Sequence, residues 1–159
     1  MRRTYLGLGI GELAAALVFT IIASVLVAPR LESASDVAAL WSALLPLLVI
    51  LIQAGTYWLA ARRWVHLRPM PSAWATAYRV FRITDVAVLA IGLVGVFVWW
   101  PDGLGTTLLV LAVWLFGVIE YVNYFVVRLS YPVGRWFTEV WQWRTPRLVQ
   151  DLRHAARER

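Results

Sequence analysis

The stretch Leu108-Leu109-Val110-Leu111-Ala112-Val113-Trp114-Leu115-Phe116-Gly117-Val118-Ile119-Glu120-Tyr121-Val122-Asn123-Tyr124-Phe125-Val126-Val127-Arg128 decides the fold class. Its first dozen residues are apolar without interruption, and the apolar character resumes beyond Glu120. A segment of about 20 such residues, at ~1.5 Å of rise each, spans a hydrocarbon core of ~30 Å. A carboxylate, an amide, two phenols and a guanidinium then sit where the surrounding residues specify lipid. Three further segments of the same kind precede it, at about 5–28, 37–60 and 83–100, and this one runs from about 104 to 129. The expected fold is an all-α integral membrane protein, four transmembrane helices in an antiparallel bundle, with a C-terminal amphipathic helix.

Composition agrees. The chain of 159 residues is 61% hydrophobic and 15% charged, whereas soluble domains average roughly 45–50% apolar and about 25% charged. There is no cysteine, which excludes disulfides, thiolate nucleophiles and Cys-ligated metals. All 15 basic residues are arginine, and the net charge is +6. The arginines flank the apolar spans, so they read as topology signals and contacts for anionic lipid rather than as a nucleic-acid surface. Two lie at the N-terminus, five between residues 62 and 82, and seven from Arg128 onward. Only Arg30 lies in the other two loops. That bias puts both termini and the middle loop in the cytoplasm, as expected for a protein of a bacterial inner membrane. Met1-Arg2-Arg3 before an apolar run also suits a signal peptide, but Leu6–Ala28 is longer than a normal h-region, so a retained helix is expected.

Between the spans, Ser35 or Asp36 can cap the second helix and Ser72 the third, and Pro46 lies inside the second, where it can kink the helix. Residues 1–134 form the bundle and 135–159 a basic, Trp-rich tail. In that tail, the part holding Trp136, Phe137, Trp141 and Trp143 suits an interfacial helix. Thr145-Pro146 suits the start of a last, soluble helix.

Ionisable residues at membrane depth are costly and need a partner or a purpose. The polar and ionisable residues at this depth are Glu12, Gln53, Thr56, Tyr57, Thr84, Asp85, Glu120, Asn123 and Tyr124, with Arg82 and Arg128 at the border. All fall in the half expected to face the cytoplasm. Glu120, Asn123, Tyr124 and Val127, spaced i, i+3, i+4, i+7, share one helix face. The expectation is one polar pocket built by Glu120, Asn123, Tyr124, Arg128, Glu12, Gln53, Tyr57 and Asp85. The bland alternative is interhelical hydrogen bonding at roughly 0.6 kcal/mol each, which suits Gln53, Thr56 and Thr84. Asp85 can also pair with Arg82, three residues earlier. Gly7 and Gly11, and Gly92 and Gly95, suggest close helix packing, inside the bundle or between copies. Gln53–Trp58 and Glu120–Phe125 echo one another, though the spacings around them do not match.

The two histidines, His66 and His154, lie outside the spans, so no bis-His haem or His-rich metal site is expected. There is no phosphate loop or nucleophile elbow. No cofactor, metal or catalytic residue is assigned. Arg62, Arg63 and Arg82 are candidate contacts for lipid phosphates. The expected partners are the phospholipid bilayer, anionic lipid head groups, and a homo-oligomer or membrane-complex partner.

In one respect the chain resembles the small multidrug resistance transporters: four helices with a glutamate early in the first, on Tyr5-Leu6-Gly7 and Glu12. It departs from them in its length, its long basic middle loop and its strong charge bias. The residues themselves suggest a non-enzymatic protein that binds a lipid head group or joins a membrane complex. The alternatives are a carboxylate-dependent small-solute or proton-coupled transporter, and a membrane lipid-modifying enzyme.

Overall fold

A computed structural model describes residues 2–64, 69–127 and 145–157. Every regular element among them is helical: α1 (Arg2–Ile21), α2 (Ala34–Ala61), α3 (Ser72–Val98), α4 (Leu104–Phe125) and α5 (Arg147–Arg157). The first four are long and apolar enough to cross a membrane. Arg128 and the aromatic tail residues 136–143 lie outside the described residues.

Helix α2 is the hub. Of its most apolar stretch 56% is buried, against 11%, 22% and 11% for α1, α3 and α4. Its sequence explains why. Ala39, Ala43, Ala54, Ala60 and Ala61 let neighbours approach, and Leu40, Leu44, Leu47 and Leu51 fill the space between. On one side Gly55 meets Gly9 of α1: a Cβ built on Gly55 would lie 3.0 Å from the Gly9 carbonyl oxygen, and one on Gly9 would lie 3.0 Å from that of Gly55. On another side Gly92 and Gly95 of α3 sit against Ser42 and Pro46, at distances that leave no room for a methyl group. The α3 glycines therefore do serve helix packing. Gly7 and Gly11 do not serve it within the chain, because both face open space and the intervening Gly9 makes the contact. The reason is angular: residues two apart on a helix point about 160° away from each other.

Pro46 is accommodated inside a continuous α2, buried against Gly92. The N-cap of α2 is Ser33, whose Oγ accepts from the Asp36 amide at 3.0 Å, rather than Ser35 or Asp36. Helix α3 starts at Ser72 behind Pro71, without a side-chain cap. Helix α1 loosens into a π-helical turn at Ile22–Val27 and a 3-10 turn at Ala28–Arg30 around Pro29.

Helix α5 is docked on the bundle. Leu148, Val149, Leu152 and Ala155 are buried, spaced i, i+1, i+4, i+7, which is one helical face. It rests against α3 and α4, beside an aromatic cluster. There Tyr5 meets Trp58 edge-on at 5.0 Å, Tyr57 meets Trp58 at 5.0 Å and Tyr78 at 5.7 Å, and Trp74 stacks on Tyr78. Tyr57, Trp64 and Tyr78 are buried, so the rings of this cluster pack on one another.

Candidate functional site

The polar residues divide into three groups around α2. The division follows from helix geometry, since Gln53 and Trp58 point about 140° apart around the axis at 3.6 residues per turn.

The first group joins α1, α2 and α4. The Tyr124 hydroxyl donates to Glu12 Oε1 at 2.5 Å and accepts from the Trp58 indole N–H at 3.3 Å. Glu120 is hydrogen-bonded to Asn123 and lies within electrostatic reach of Glu12. Glu12, Trp58, Asn123 and Tyr124 line a half-enclosed cavity of about 380 Å³, and Arg147 and Gln150 of α5 complete its wall. Trp58 and Tyr124 belong to the two echoing stretches, so those stretches meet in space.

The second group joins α2 and α3. Gln53 Nε2 donates to Asp85 Oδ1 at 2.9 Å, and the Tyr78 hydroxyl donates to the Gln53 backbone carbonyl at 2.7 Å. Asp85 is 1% exposed. Its hydrogen-bond partner is thus Gln53 across the helix interface, not Arg82 on its own helix. Arg82 is exposed, and its backbone carbonyl accepts from the Tyr121 hydroxyl of α4 at 3.0 Å.

The third group contains a residue that the sequence did not single out. Asp151 of α5 is 8% exposed. Its Oδ2 accepts from the Tyr57 hydroxyl at 2.9 Å and from the Trp64 indole N–H at 3.4 Å, and its Oδ1 lies 3.3 Å from Arg147 Nε. One carboxylate thereby fixes the last helix to the end of α2. The signal for it was present: an acid at the i+3 position of the Leu148, Val149, Leu152 stripe, on the buried face.

Beside these groups runs an open groove of about 820 Å³ between α3, α4 and α5. Arg79, Arg82 and Arg153 supply its positive charge, with the Tyr121 ring close by. Its long wall is Ile83, Val86, Ala87 and Ala90, an i, i+3, i+4, i+7 stripe of α3, faced by Val149 and Leu152 of α5. Of the three arginines named as lipid contacts, only Arg82 lies here. Arg63 is exposed in the turn after α2, and Arg62 is half-buried beside it. Among the described residues, no group of three or more acids and histidines converges as metal ligands would.

No family model, curated protein or solved structure matches this chain.

Proposed function

We propose that the chain is a multi-pass helical protein of a bacterial inner membrane with cytoplasmic termini, and that it binds the anionic head group of a phospholipid in the α3–α4–α5 groove. The groove carries this reading: three arginines at one end and a purely apolar stripe running away from them match the two halves of a lipid. From Ile83 to Ala90 the apolar wall extends roughly 10 Å along the helix axis, enough to follow part of an acyl chain. Arg79 and Arg82 lie one turn apart, and Arg153 answers them from α5. Each basic residue near an anionic lipid surface contributes about 1 kcal/mol.

Membrane insertion is supported by large apolar side chains left in the open, such as Ile83 at 74%, Ile91 at 71% and Leu104 at 75% exposure. Patches of that extent mark lipid or partner contact. The orientation rests on the arginine distribution. The antiparallel arrangement is supported by Gly9 near the start of α1 meeting Gly55 near the end of α2, and by Gly95 near the end of α3 meeting Ser42 near the start of α2.

Native mass spectrometry of the chain released from mild detergent tests the reading. Phosphatidylglycerol should be retained in preference to phosphatidylethanolamine. In the Arg82→Gln/Arg153→Gln variant that retention should fall by roughly 30-fold, at ~1 kcal/mol for each charge. Equal retention of both lipids, or retention unchanged in the variant, overturns it.

A second reading, carboxylate-dependent transport of a small solute or of protons, is supported by Glu12 lining the 380 Å³ cavity with Glu120 close by. It requires that Glu12→Gln abolish pH-dependent uptake into proteoliposomes while the protein still inserts. A Glu12→Gln variant altered only in thermal stability rejects it.

A further inference from the structure

The Asp85–Gln53 pair has an unfinished hydrogen-bond pattern. Gln53 Nε2 donates to Asp85 Oδ1 at 2.9 Å. The other atom of each group, Gln53 Oε1 and Asp85 Oδ2, is buried and without a hydrogen-bond partner. Both orphans are acceptors. A carboxamide and a carboxylic acid facing each other form a closed ring of two hydrogen bonds, amide N–H to acid carbonyl and acid O–H to amide carbonyl. One of those two hydrogen bonds is present, and a proton on Asp85 Oδ2 would supply the donor for the other.

Among the described residues, no cation and no second donor is bonded to the carboxylate. An isolated ionised carboxylate in an apolar interior is so costly that such a group generally takes up a proton instead. Asp85 is 1% exposed, and among the described residues no arginine forms an ion pair with it. On its own helix, Arg82 is exposed beside the groove and the Tyr78 hydroxyl is used on the Gln53 backbone carbonyl. From α2, the Tyr57 hydroxyl is used on Asp151. From α4, the Tyr121 hydroxyl is used on the Arg82 carbonyl, and from α5 the charged neighbour is Arg153, in the groove. None of these donors reaches Asp85 Oδ2.

We propose that Asp85 and Gln53 form a proton-binding site between α2 and α3, with the proton on Asp85 Oδ2 donated to Gln53 Oε1. The ligand is H⁺. Binding it closes the acid–amide ring and removes the charge; releasing it leaves a carboxylate facing a carbonyl oxygen. The site is distinct from the lipid groove and from the Glu12 cavity, and its junction is one on which α2 and α3 can be held or loosened by pH.

The test is infrared difference spectroscopy of the full chain in lipid nanodiscs, with the aspartate side-chain carboxyl carbons isotopically labelled. The comparison is wild type against Asp85→Asn. Asparagine can donate from Nδ2 to Gln53 Oε1 and accept at Oδ1 from Gln53 Nε2, so the variant keeps the ring without the proton. At pH 7 the wild type should show a protonated aspartic C=O stretch that is absent from the variant. The wild-type unfolding temperature should fall as pH rises and the proton is lost, while that of Asp85→Asn stays flat over the same range. Wild type with only ionised aspartates at pH 7 overturns the proposal, as a water-bridged carboxylate would give that result. So does a protonated band that persists in Asp85→Asn, since it then belongs to another aspartate. An unfolding temperature that responds to Na⁺ or K⁺ but not to pH also overturns it and assigns a metal cation instead.

Discussion

The Asp151 contact gives the most quantitative prediction. Asp151→Ala removes the acceptor of the buried Tyr57 hydroxyl and of the Trp64 indole N–H. A hydrogen bond to a charged group contributes about 1.5–3 kcal/mol, and a buried donor left unsatisfied costs about 1–3 kcal/mol. These two figures describe one loss from two sides and are not summed. The Arg147 partner has a side chain 44% exposed, so that ion pair adds at most ~1 kcal/mol. The expected weakening of α5 docking is therefore ~2–4 kcal/mol, which lowers its docking equilibrium roughly 30- to 1000-fold. Asp151→Asn should cost less, because its Oδ1 still accepts from Tyr57. Tyr57→Phe removes the donor itself, so its effect should overlap with that of Asp151→Ala; a double-mutant cycle should return a coupling of ~0.5–3 kcal/mol. Hydrogen exchange of the Leu148–Ala155 amides in nanodiscs reads the opening directly. Amide protection in α5 that is the same in Asp151→Ala as in wild type refutes the reasoning, as does a coupling of zero.

Other expectations follow from the same contacts. Gly55→Ala places a methyl group 2.8 Å from Leu13 Cγ and 3.0 Å from the Gly9 carbonyl oxygen, and should destabilise the bundle by about 1–3 kcal/mol. Gly117→Ala is its control: the new Cβ would lie 3.4–3.6 Å from Leu89 and Leu47, ordinary contact, so the change should be neutral or slightly stabilising through the gain in helix propensity. Titration with a denaturing detergent, followed by circular dichroism, measures both. Tyr124→Phe removes the bonds to Glu12 and Trp58; at ~0.6 kcal/mol for an average interhelical bond and up to ~1.7 for a strong one, the same titration should show a loss in that range.

The four long helices were legible in the sequence because a bilayer-length apolar run is an overwhelming signal that needs no tertiary information. Glu12, Gln53 and Glu120 stand eight or nine residues from the nearest arginine, and Asp85 only three. What a hydropathy reading lacks is azimuth. Gln53 and Trp58 are five residues apart on one helix, yet α2 presents one to α3 and the other to α1 and α4. The expected single pocket therefore divides into an acid–phenol cavity, an acid–amide pair and the Tyr57–Asp151 contact. Asp151 was hidden for a different reason. In a tail with arginines at 144, 147, 153 and 157, one aspartate looks solvated, and only the docking of the Leu148–Leu152 face buries it. Gly7 and Gly11 show the converse, a packing motif read correctly as spacing while the residue between them makes the contact.

The position of a bound lipid's acyl chain tests lipid binding in the groove most directly. The chain would be reconstituted with phosphatidylglycerol carrying a photoactivatable group on its acyl chain, irradiated, digested and sequenced by mass spectrometry. Adducts should concentrate on Ile83, Val86, Ala87 and Ala90, and diminish when Arg79, Arg82 and Arg153 are replaced by glutamine. Adducts spread evenly over the other exposed apolar positions, such as Ile91, Val94, Leu104 and Leu108, and indifferent to those arginines, would contradict it.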